Sequence, residues 1–237
     1  MLSIIIPTLN EEDYLPLLLD SILPKNQDSE INLEIIVADA GSTDKTIEIA
    51  KSYGCKITKG GLPAKGRNEG VKVAQGDLLL FLDADLVLPK DFLRNSLNEF
   101  QKRKLDVASY RLTPRTDSVL IRKGFNFFYN WPITFFQKII SAGAMGILVK
   151  KGLFDRVEGF NEEIKLAEDH YFVQQASRIG RFGIIASTEI FIPLRRFERD
   201  GYLKTCIRYL LCGFHMFLFG PVKSDVLGYR FDHYSKN

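Results

Sequence analysis

Between Leu2 and Arg103 the sequence repeats one alternation four times: a short apolar run, then a longer segment with helical periodicity. The runs are LSIII, LEIIVA, CKIT and DLLLFL; the segments are EEDYLPLLLDSIL, GSTDKTIEIAKSYG, LPAKGRNEGVKVAQG and PKDFLRNSLNEFQKR. LSIII reads as a continuous apolar run, as in a strand buried on both faces, and the other three read as further strands. Pro16 is tolerable only in the first turn of its helix, and Pro89 sits near the start of the fourth. Ser42, Thr43 or Asp44 can cap the second helix, and Gly54 can close it. Strands alternating with helices predict an α/β fold with a parallel sheet and right-handed crossovers.

In such sheets ligands bind at the carboxyl ends of the strands. Polar residues gather there in this chain. The first strand runs into Pro7-Thr8-Leu9-Asn10-Glu11-Glu12, the second into Asp39-Ala40-Gly41-Ser42, and the fourth into Asp83-Ala84-Asp85. In the last case, LLLFLDADLVLP, two carboxylates stand at the mouth of an apolar strand. A hard divalent cation such as Mg²⁺ or Mn²⁺ takes oxygen ligands and often shares them with substrate phosphates. The pair Asp83 and Asp85 suits that chemistry. Asp83 can also cap the turn that follows, with Asp85 solvated.

The 237 residues are 46% hydrophobic and 26% charged, an ordinary globular balance. A net charge of +3 does not suggest a nucleic-acid partner. Cys55, Cys206 and Cys212 form no CxxC pair, which fits a reducing compartment; the expected location is cytoplasmic. The N-terminus lacks the pattern of a signal peptide, and no window supplies the roughly 20 apolar residues of a membrane span.

After Arg111 the pattern changes. RLTPRTDS reads as a loop, AMGILVKK as a strand and GLFDRVEGFNEE as a turn-rich piece. AEDHYFVQQASRIG reads as a capped helix, FGIIA and EIFIPL as two short strands, and GYLKTCIRYLLCGFHMFLF as a final helix. No linker interrupts the chain. The expected organisation is one domain, 1–237, with a nucleotide-type half at 1–110 and an acceptor-type half at 111–237. Two greasy segments, 121–140 and 201–220, have basic flanks, as an interfacial membrane helix requires. They can equally pack on each other as core.

SIIIPTLNEEDYL, EIIVADAGSTDKT, GRNEGVKVAQGDLLLFLDADLVLP and GLFDRVEGFNEEIKLAEDHYF together resemble family 2 glycosyltransferases, in that family's motif order, over about residues 2 to 180. The resemblance implies a GT-A fold: a Rossmann-like, mostly parallel sheet flanked by helices, with a C-terminal acceptor-binding lobe. It implies an inverting transfer of a sugar from a nucleotide diphosphate donor, UDP or GDP type, to an acceptor hydroxyl or phosphate. Carried over by position, Pro7, Thr8, Asn10 and Glu11 line the base and ribose pocket, and Asp39 bonds the nucleobase. Arg67, with Lys65 nearby, faces the phosphates. Asp83 contacts ribose or metal, Asp85 is the principal metal ligand, and Asp169 is the catalytic base. Asp169 opens a helix, where the macrodipole favours negative charge. The expected partners are the donor, a divalent metal and an acceptor that the greasy segments suggest is lipid-linked, with peripheral membrane contact.

Each assignment has an ordinary structural counterpart. Asn10 can cap the first helix, Asp39 can shape a turn with Gly41 and Ser42, Glu168 and Asp169 can be plain N-terminal helix charges, and Arg67 can be a solvated helix residue. His170, His215 and His233 show no ligand spacing and read as structural or surface residues. RRFERDG, from Arg195 to Gly201, is not the QxxRW motif of processive members, so polymer synthesis is not expected. FLDADLV also fits the strand signature of haloacid-dehalogenase-type phosphatases, but there the motif normally opens the chain, whereas three strands precede it here. A non-catalytic nucleotide-binding protein is the remaining alternative.

Overall fold

The computed structural model of the chain describes residues 1–23, 31–137, 141, 143, 145–164 and 167–194. The expected helix 201–220, Arg195, Arg196, Cys206, Cys212, His215 and His233 lie outside the described residues, as do 138–140 of the expected helix 121–140.

Seven strands form one sheet: β1 Leu2–Thr8, β2 Leu33–Asp39, β3 Lys56–Lys59, β4 Leu78–Leu82, β5 Val107–Pro114, β6 Gly146–Lys150 and β7 Phe182–Ile192. Their order is β3-β2-β1-β4-β6-β5-β7. Every pairing is parallel except those of β6, which runs against both β4 and β5. All strands but β6 therefore point the same way, and their carboxyl ends share one rim.

The helices are α1 Leu15–Ile22, α2 Thr46–Ser52, α3 Pro63–Val73, α4 Phe92–Lys102, α5 Val119–Phe125, α6 Trp131–Phe135, α7 Lys151–Arg156 and α8 Glu168–Ile179. The two-residue period of a strand sends neighbours to opposite faces, so the apolar runs fill two cores. Ile4, Ile6, Leu80 and Leu82 pack with Leu18 and Leu19 of α1, Ala50 of α2 and Phe92 and Phe100 of α4. Ile5, Ile36, Leu79 and Phe81 pack with Val71 of α3, Phe154 of α7 and Phe172 and Val173 of α8. Close packing decides one residue of α3: a Cβ on Gly70 would lie 2.4 Å from Cγ2 of Ile5. A side chain there would push the helix off the sheet.

Several local expectations change. The first helix begins at Leu15 rather than Glu11, with Pro16 in its first turn as expected. Residues Arg111–Pro114, expected in a loop, extend β5, because β7 supplies partners as far as Ile192. β5 thus runs through the 110/111 division between the two halves. FGIIA and EIFIPL form one strand with a register irregularity opposite Tyr110 and Arg111. The start of the turn-rich GLFDRVEGFNEE is helical, as α7. The 121–140 segment forms α5, a π-helical turn at Asn126–Asn130, and α6.

At the sheet end opposite the rim, Glu34 of β2 ties three segments together. It accepts from Ser3 Oγ at 2.6 Å, Gln75 N at 2.6 Å and Lys56 Nζ at 2.5 Å. Burial pushes this carboxyl up, but the bonds from Lys56, Ser3 and Gln75 outweigh it and bring the pKa down to about 2. A depressed carboxylate stabilises the fold above its unfolded pKa and loses that contribution as pH falls through the folded value. Glu34→Gln is therefore expected to cost on the order of 1 kcal/mol at pH 7, since the partly exposed Lys56 pair is screened by solvent. Urea unfolding at a series of pH values should show the gap closing between about pH 4.5 and pH 2.

Candidate active site at the carboxyl rim

The loops after β1 and β2 are stitched together by reciprocal hydrogen bonds. Asn10 N donates to Ser42 Oγ at 2.9 Å, and Thr43 N donates to Asn10 Oδ1 at 2.8 Å. Glu11 N donates to Thr46 Oγ1 at 2.8 Å, and Glu12 N to Asp44 Oδ2 at 3.1 Å. Asn10 has φ 54°, a left-handed conformation that asparagine tolerates better than most residues. Asp44 accepts from Thr46 N at 3.0 Å and Thr46 Oγ1 at 2.5 Å, so it holds the turn leading into α2, but the N-cap itself is Lys45, without a side-chain cap, rather than Ser42, Thr43 or Asp44. Asn10 joins the two loops rather than capping α1.

Asp39, at the end of β2, is buried and accepts four hydrogen bonds: Gly41 N and Ser42 N at 2.8 Å each, Ser42 Oγ at 2.5 Å and Thr8 Oγ1 at 3.2 Å. An ionised carboxylate has about four acceptor sites, so these donors engage its full capacity. It shapes the turn; a nucleobase edge would have to share or displace one donor. Pro7 on β1 lies beside Ala38 and is approached by α3, where a Cβ on Gly66 would sit 3.0 Å from Pro7 Cβ. Thr8 and Glu11 are buried at the same rim, and Lys65, on the first turn of α3, is exposed.

Arg67 of α3 is not solvated. It is 5% exposed, with one guanidinium nitrogen 2.8 Å from Asp83 Oδ1 and the other 2.5 Å from Glu168 Oε1. Its Cζ stands 5.3 Å from the Phe160 ring centre, a cation–π distance. Phe160 in turn stacks on Phe172 of α8 at 4.3 Å and meets Phe81 of β4 edge-on at 5.0 Å. Asp83 follows β4, and Glu168 and Asp169 open α8, so Arg67 joins a strand end to a helix start 101 residues further along the chain than itself. The fork geometry of arginine suits two carboxylates at once.

The local charges shift one another. Burial raises the pKa of Asp83, Arg67 lowers it, and Asp85, Asp169 and Glu168 raise it again, to about 6, although a third of its side chain reaches solvent. Glu168 is also pushed up, by burial first and by Asp169, with Arg67 opposing. Burial alone would lower Arg67, but the charges of Asp83, Glu168 and Asp169 more than offset that. Three carboxylates, Asp83, Glu168 and Asp169, therefore act on one cationic side chain, and Asp85 adds its charge to Asp83. Asp169 Oδ1 accepts from the His170 backbone N–H at 2.7 Å. Ala167, just before, is left-handed at φ 60°, strain of the kind that collects at functional sites. The His170 ring meets the Gly143 carbonyl through Nδ1, a structural role as expected.

Asp83 thus lies within reach of the charges of Asp85, Asp169 and Glu168, and Arg67 pairs with both Asp83 and Glu168. Asp39 stands on the same rim but on β2, with β1 intervening before β4. Glu168 was open to reading as a mere helix charge; the clue was its place beside Asp169, and its burial is what the sequence hid. Among the described residues no group of three or more His, Cys, Asp or Glu side chains forms a metal cage. The donor set instead fits a cation held by Asp85 and Asp83 and completed by substrate phosphates. The crowding that raises Asp83 is the negative charge such a cation offsets.

The sheet order, helix layers and carboxylate rim define a GT-A fold. Staphylococcus aureus TarS 1–349 in complex with UDP-GlcNAc superposes with a TM-score of 0.67 at 25% identity, covering 81% of this chain and 58% of that one. The mannosyltransferase PcManGT from Pyrobaculum calidifontis, in complex with GDP-Man and Mn²⁺, gives 0.65 at 22% identity, covering 80% and 56%. The glycosyl transferase family 2 model matches residues 3–152, and the chain belongs to that family. The poly(ribitol-phosphate) beta-N-acetylglucosaminyltransferase TarS of S. aureus (strain Mu50) is 29% identical over 204 residues, 82% of this chain and 35% of TarS. A dolichyl N-acetyl-alpha-D-glucosaminyl phosphate 3-beta-D-2,3-diacetamido-2,3-dideoxy-beta-D-glucuronosyltransferase of Methanococcus voltae is 35% identical over 112 residues, 44% of this chain and 35% of the relative. The chain spans about a third of the length of these two relatives.

Removing Arg67 leaves its carboxylates facing one another in a partly dry site. Arg67→Met is expected to destabilise the fold by about 3 kcal/mol, the low end for breaking a buried pair, because Asp83 is partly solvated. Arg67→Lys keeps the charge but loses the fork and should cost less. Urea midpoints of the two variants test the ranking.

Proposed function

We propose that the chain is an inverting glycosyltransferase, moving a sugar from a nucleotide diphosphate donor of UDP or GDP type to an acceptor hydroxyl or phosphate. The observation that carries it is that Asp83, within reach of the charges of Asp85 and Asp169, shares Arg67 with Glu168, in a chain of family 2. The UDP-GlcNAc and GDP-Man complexes of TarS and PcManGT support the donor class. The first and second strand ends, with Pro7, Thr8, Asn10, Glu11 and Asp39, form the wall for base and ribose. Lys65 is exposed on the first turn of α3, where a phosphate can reach it.

Asp85 is the principal metal ligand, with Asp83 beside it. Bound there, Mg²⁺ or Mn²⁺ supplies positive charge to the leaving diphosphate. Asp169 is the base: it accepts the proton of the acceptor hydroxyl as that oxygen attacks the anomeric carbon. The attack comes from the face opposite the diphosphate, so configuration inverts and no covalent enzyme intermediate forms. Arg67 holds Glu168, and with it the first turn of α8, against β4. Its role is to position the base rather than to meet phosphate, because both ends of its fork are taken up by carboxylates. A lipid-linked acceptor is the finer reading; the dolichyl-phosphate relative of Methanococcus voltae supports it.

A thermal-shift panel of UDP, GDP, CDP and dTDP with and without Mn²⁺ should give a metal-dependent shift with one nucleotide, absent in Asp85→Ala. Asp169→Asn should bind the same nucleotide normally and turn over at least ~100-fold more slowly, the usual worth of a general base. Weak nucleotide binding in Asp169→Asn would remove Asp169 from the base role. Hydrolysis of p-nitrophenyl phosphate by the wild-type chain would favour a phosphatase instead.

A further inference from the structure

The helical excursion between β5 and β6 carries its aromatic residues on the outside. Phe127, Phe128, Trp131 and Phe135 are 63%, 79%, 55% and 66% exposed. They are not scattered. Phe127 stacks on Trp131 at 6.2 Å and 9°, and Trp131 on Phe135 at 5.4 Å and 16°, which makes a ladder at four-residue spacing. Phe128 meets Phe127 edge-on.

The opposite side of the excursion is fastened. Asn130 is buried and bonds both ways to the backbone of Leu112 on β5: Leu112 N donates to its Oδ1 at 2.9 Å, and its Nδ2 donates to the Leu112 carbonyl at 2.8 Å. Phe125 and Tyr129 pack against the core. The π-helical turn inserts one residue into the helical repeat, and Asn130 sits at its end. The chain thus holds the aromatic ladder outward rather than leaving it loose.

Charge selects among possible covers. Arg122 and Lys123 are exposed on α5, and no acidic residue lies between Asp117 and Asp155. A stacked aromatic face with basic residues and no acids complements the headgroup layer of an anionic bilayer, where aromatic rings settle at the interface and Lys and Arg meet phosphate. Among the described residues no helix is long and apolar enough to cross a membrane, so contact through this excursion is contact with the surface.

Topology connects this face to the site. β5 ends at the carboxyl rim, and antiparallel β6 begins there, with Gly146 opposite Leu82 just before Asp83. The excursion therefore leaves from and returns to the rim that holds the carboxylates. Its last part includes Gly143, which lies so close to α8 that a Cβ would be 2.5 Å from the Asp169 carbonyl oxygen.

We propose that residues 119–136 form a docking face for an anionic lipid surface, with Phe127, Phe128, Trp131 and Phe135 in the interface and Arg122 and Lys123 on the headgroups. The face deepens the lipid-linked acceptor reading and rests on it for its purpose: it brings the carboxylate rim to where the acceptor's head group would stand.

Trp131 is the only tryptophan, so its emission reports directly on this face. The 237-residue chain is mixed with phosphatidylglycerol-containing vesicles and, separately, with pure phosphatidylcholine vesicles. The expected result is a blue shift of emission and flotation with the anionic vesicles. Phe128→Ser with Phe135→Ser, which keeps the probe, should bind at least ~10-fold more weakly. Arg122→Ser with Lys123→Ser should lose roughly 10- to 30-fold on anionic vesicles only, at about a factor of 5 per basic residue. Three results overturn the proposal. Emission unchanged and protein wholly soluble in every mixture means no lipid contact. Blue emission without vesicles in a dimer by sedimentation means that a second copy covers the ladder. Blue emission without vesicles in a monomer, insensitive to lipid, means that residues 195–237 cover it. The metal-dependent nucleotide shift, measured on the same samples, should persist in both variants; its absence from the wild-type chain counts against the glycosyltransferase reading and leaves the docking result standing.

Discussion

One buried guanidinium organises this site. Arg67 reaches Asp83 at the end of a strand and Glu168 at the start of a helix, and it rests on the face of Phe160. Without that cation the carboxylates of Asp83, Glu168 and Asp169, with Asp85 beside Asp83, would repel one another in a site only partly open to water. With it, the start of α8 is drawn to the rim of β4, and Asp169 comes with it. The interaction is costly in desolvation and unremarkable as a source of stability. Its value is positional, since it fixes a helix terminus against a strand end that lies far away in sequence.

The aromatic packing beneath explains why this arrangement can be rigid. Phe81, Phe154, Phe160 and Phe172 interlock between β4, α7 and α8. Phe81 belongs to the apolar run that delivers Asp83 and Asp85, so the same strand supplies the floor and the charged lip of the site. Arg67 lies over this cluster, where one side of the guanidinium meets a ring and its edges meet carboxylates.

Much of this was legible in the residues. The alternation of apolar runs with helical segments encodes a layered α/β sheet because strand and helix periods differ, and the polar strand ends mark the rim. The DAD and ED pairs stood out by position. What stayed hidden was non-local. Nothing in GILVK indicates that β6 runs against its neighbours, since an apolar run reads alike in either direction. Arg111–Pro114 reads as loop by its own polarity and becomes strand only because β7 pairs with it. Arg67 reads as solvated or phosphate-facing until its partners, 16 and 101 residues away, are placed beside it. Asp39 is the reverse case: the Gly41-Ser42 sequence already offered a turn, and four donors fill that role.

The loops after β1 and β2 hold each other through backbone and side chain in both directions, from Asn10 to Ser42 and Thr43, and from Glu11 and Glu12 to Thr46 and Asp44. In the proposed role of these loops as the wall for base and ribose, such lacing means that conformational freedom is given up during folding, before a nucleotide arrives. Little ordering remains to oppose association at that wall. Discrimination among bases would then depend on fixed shape rather than on adaptation, so broadening the range of accepted nucleotides would require loosening the lacing as well as changing the groups that touch the base.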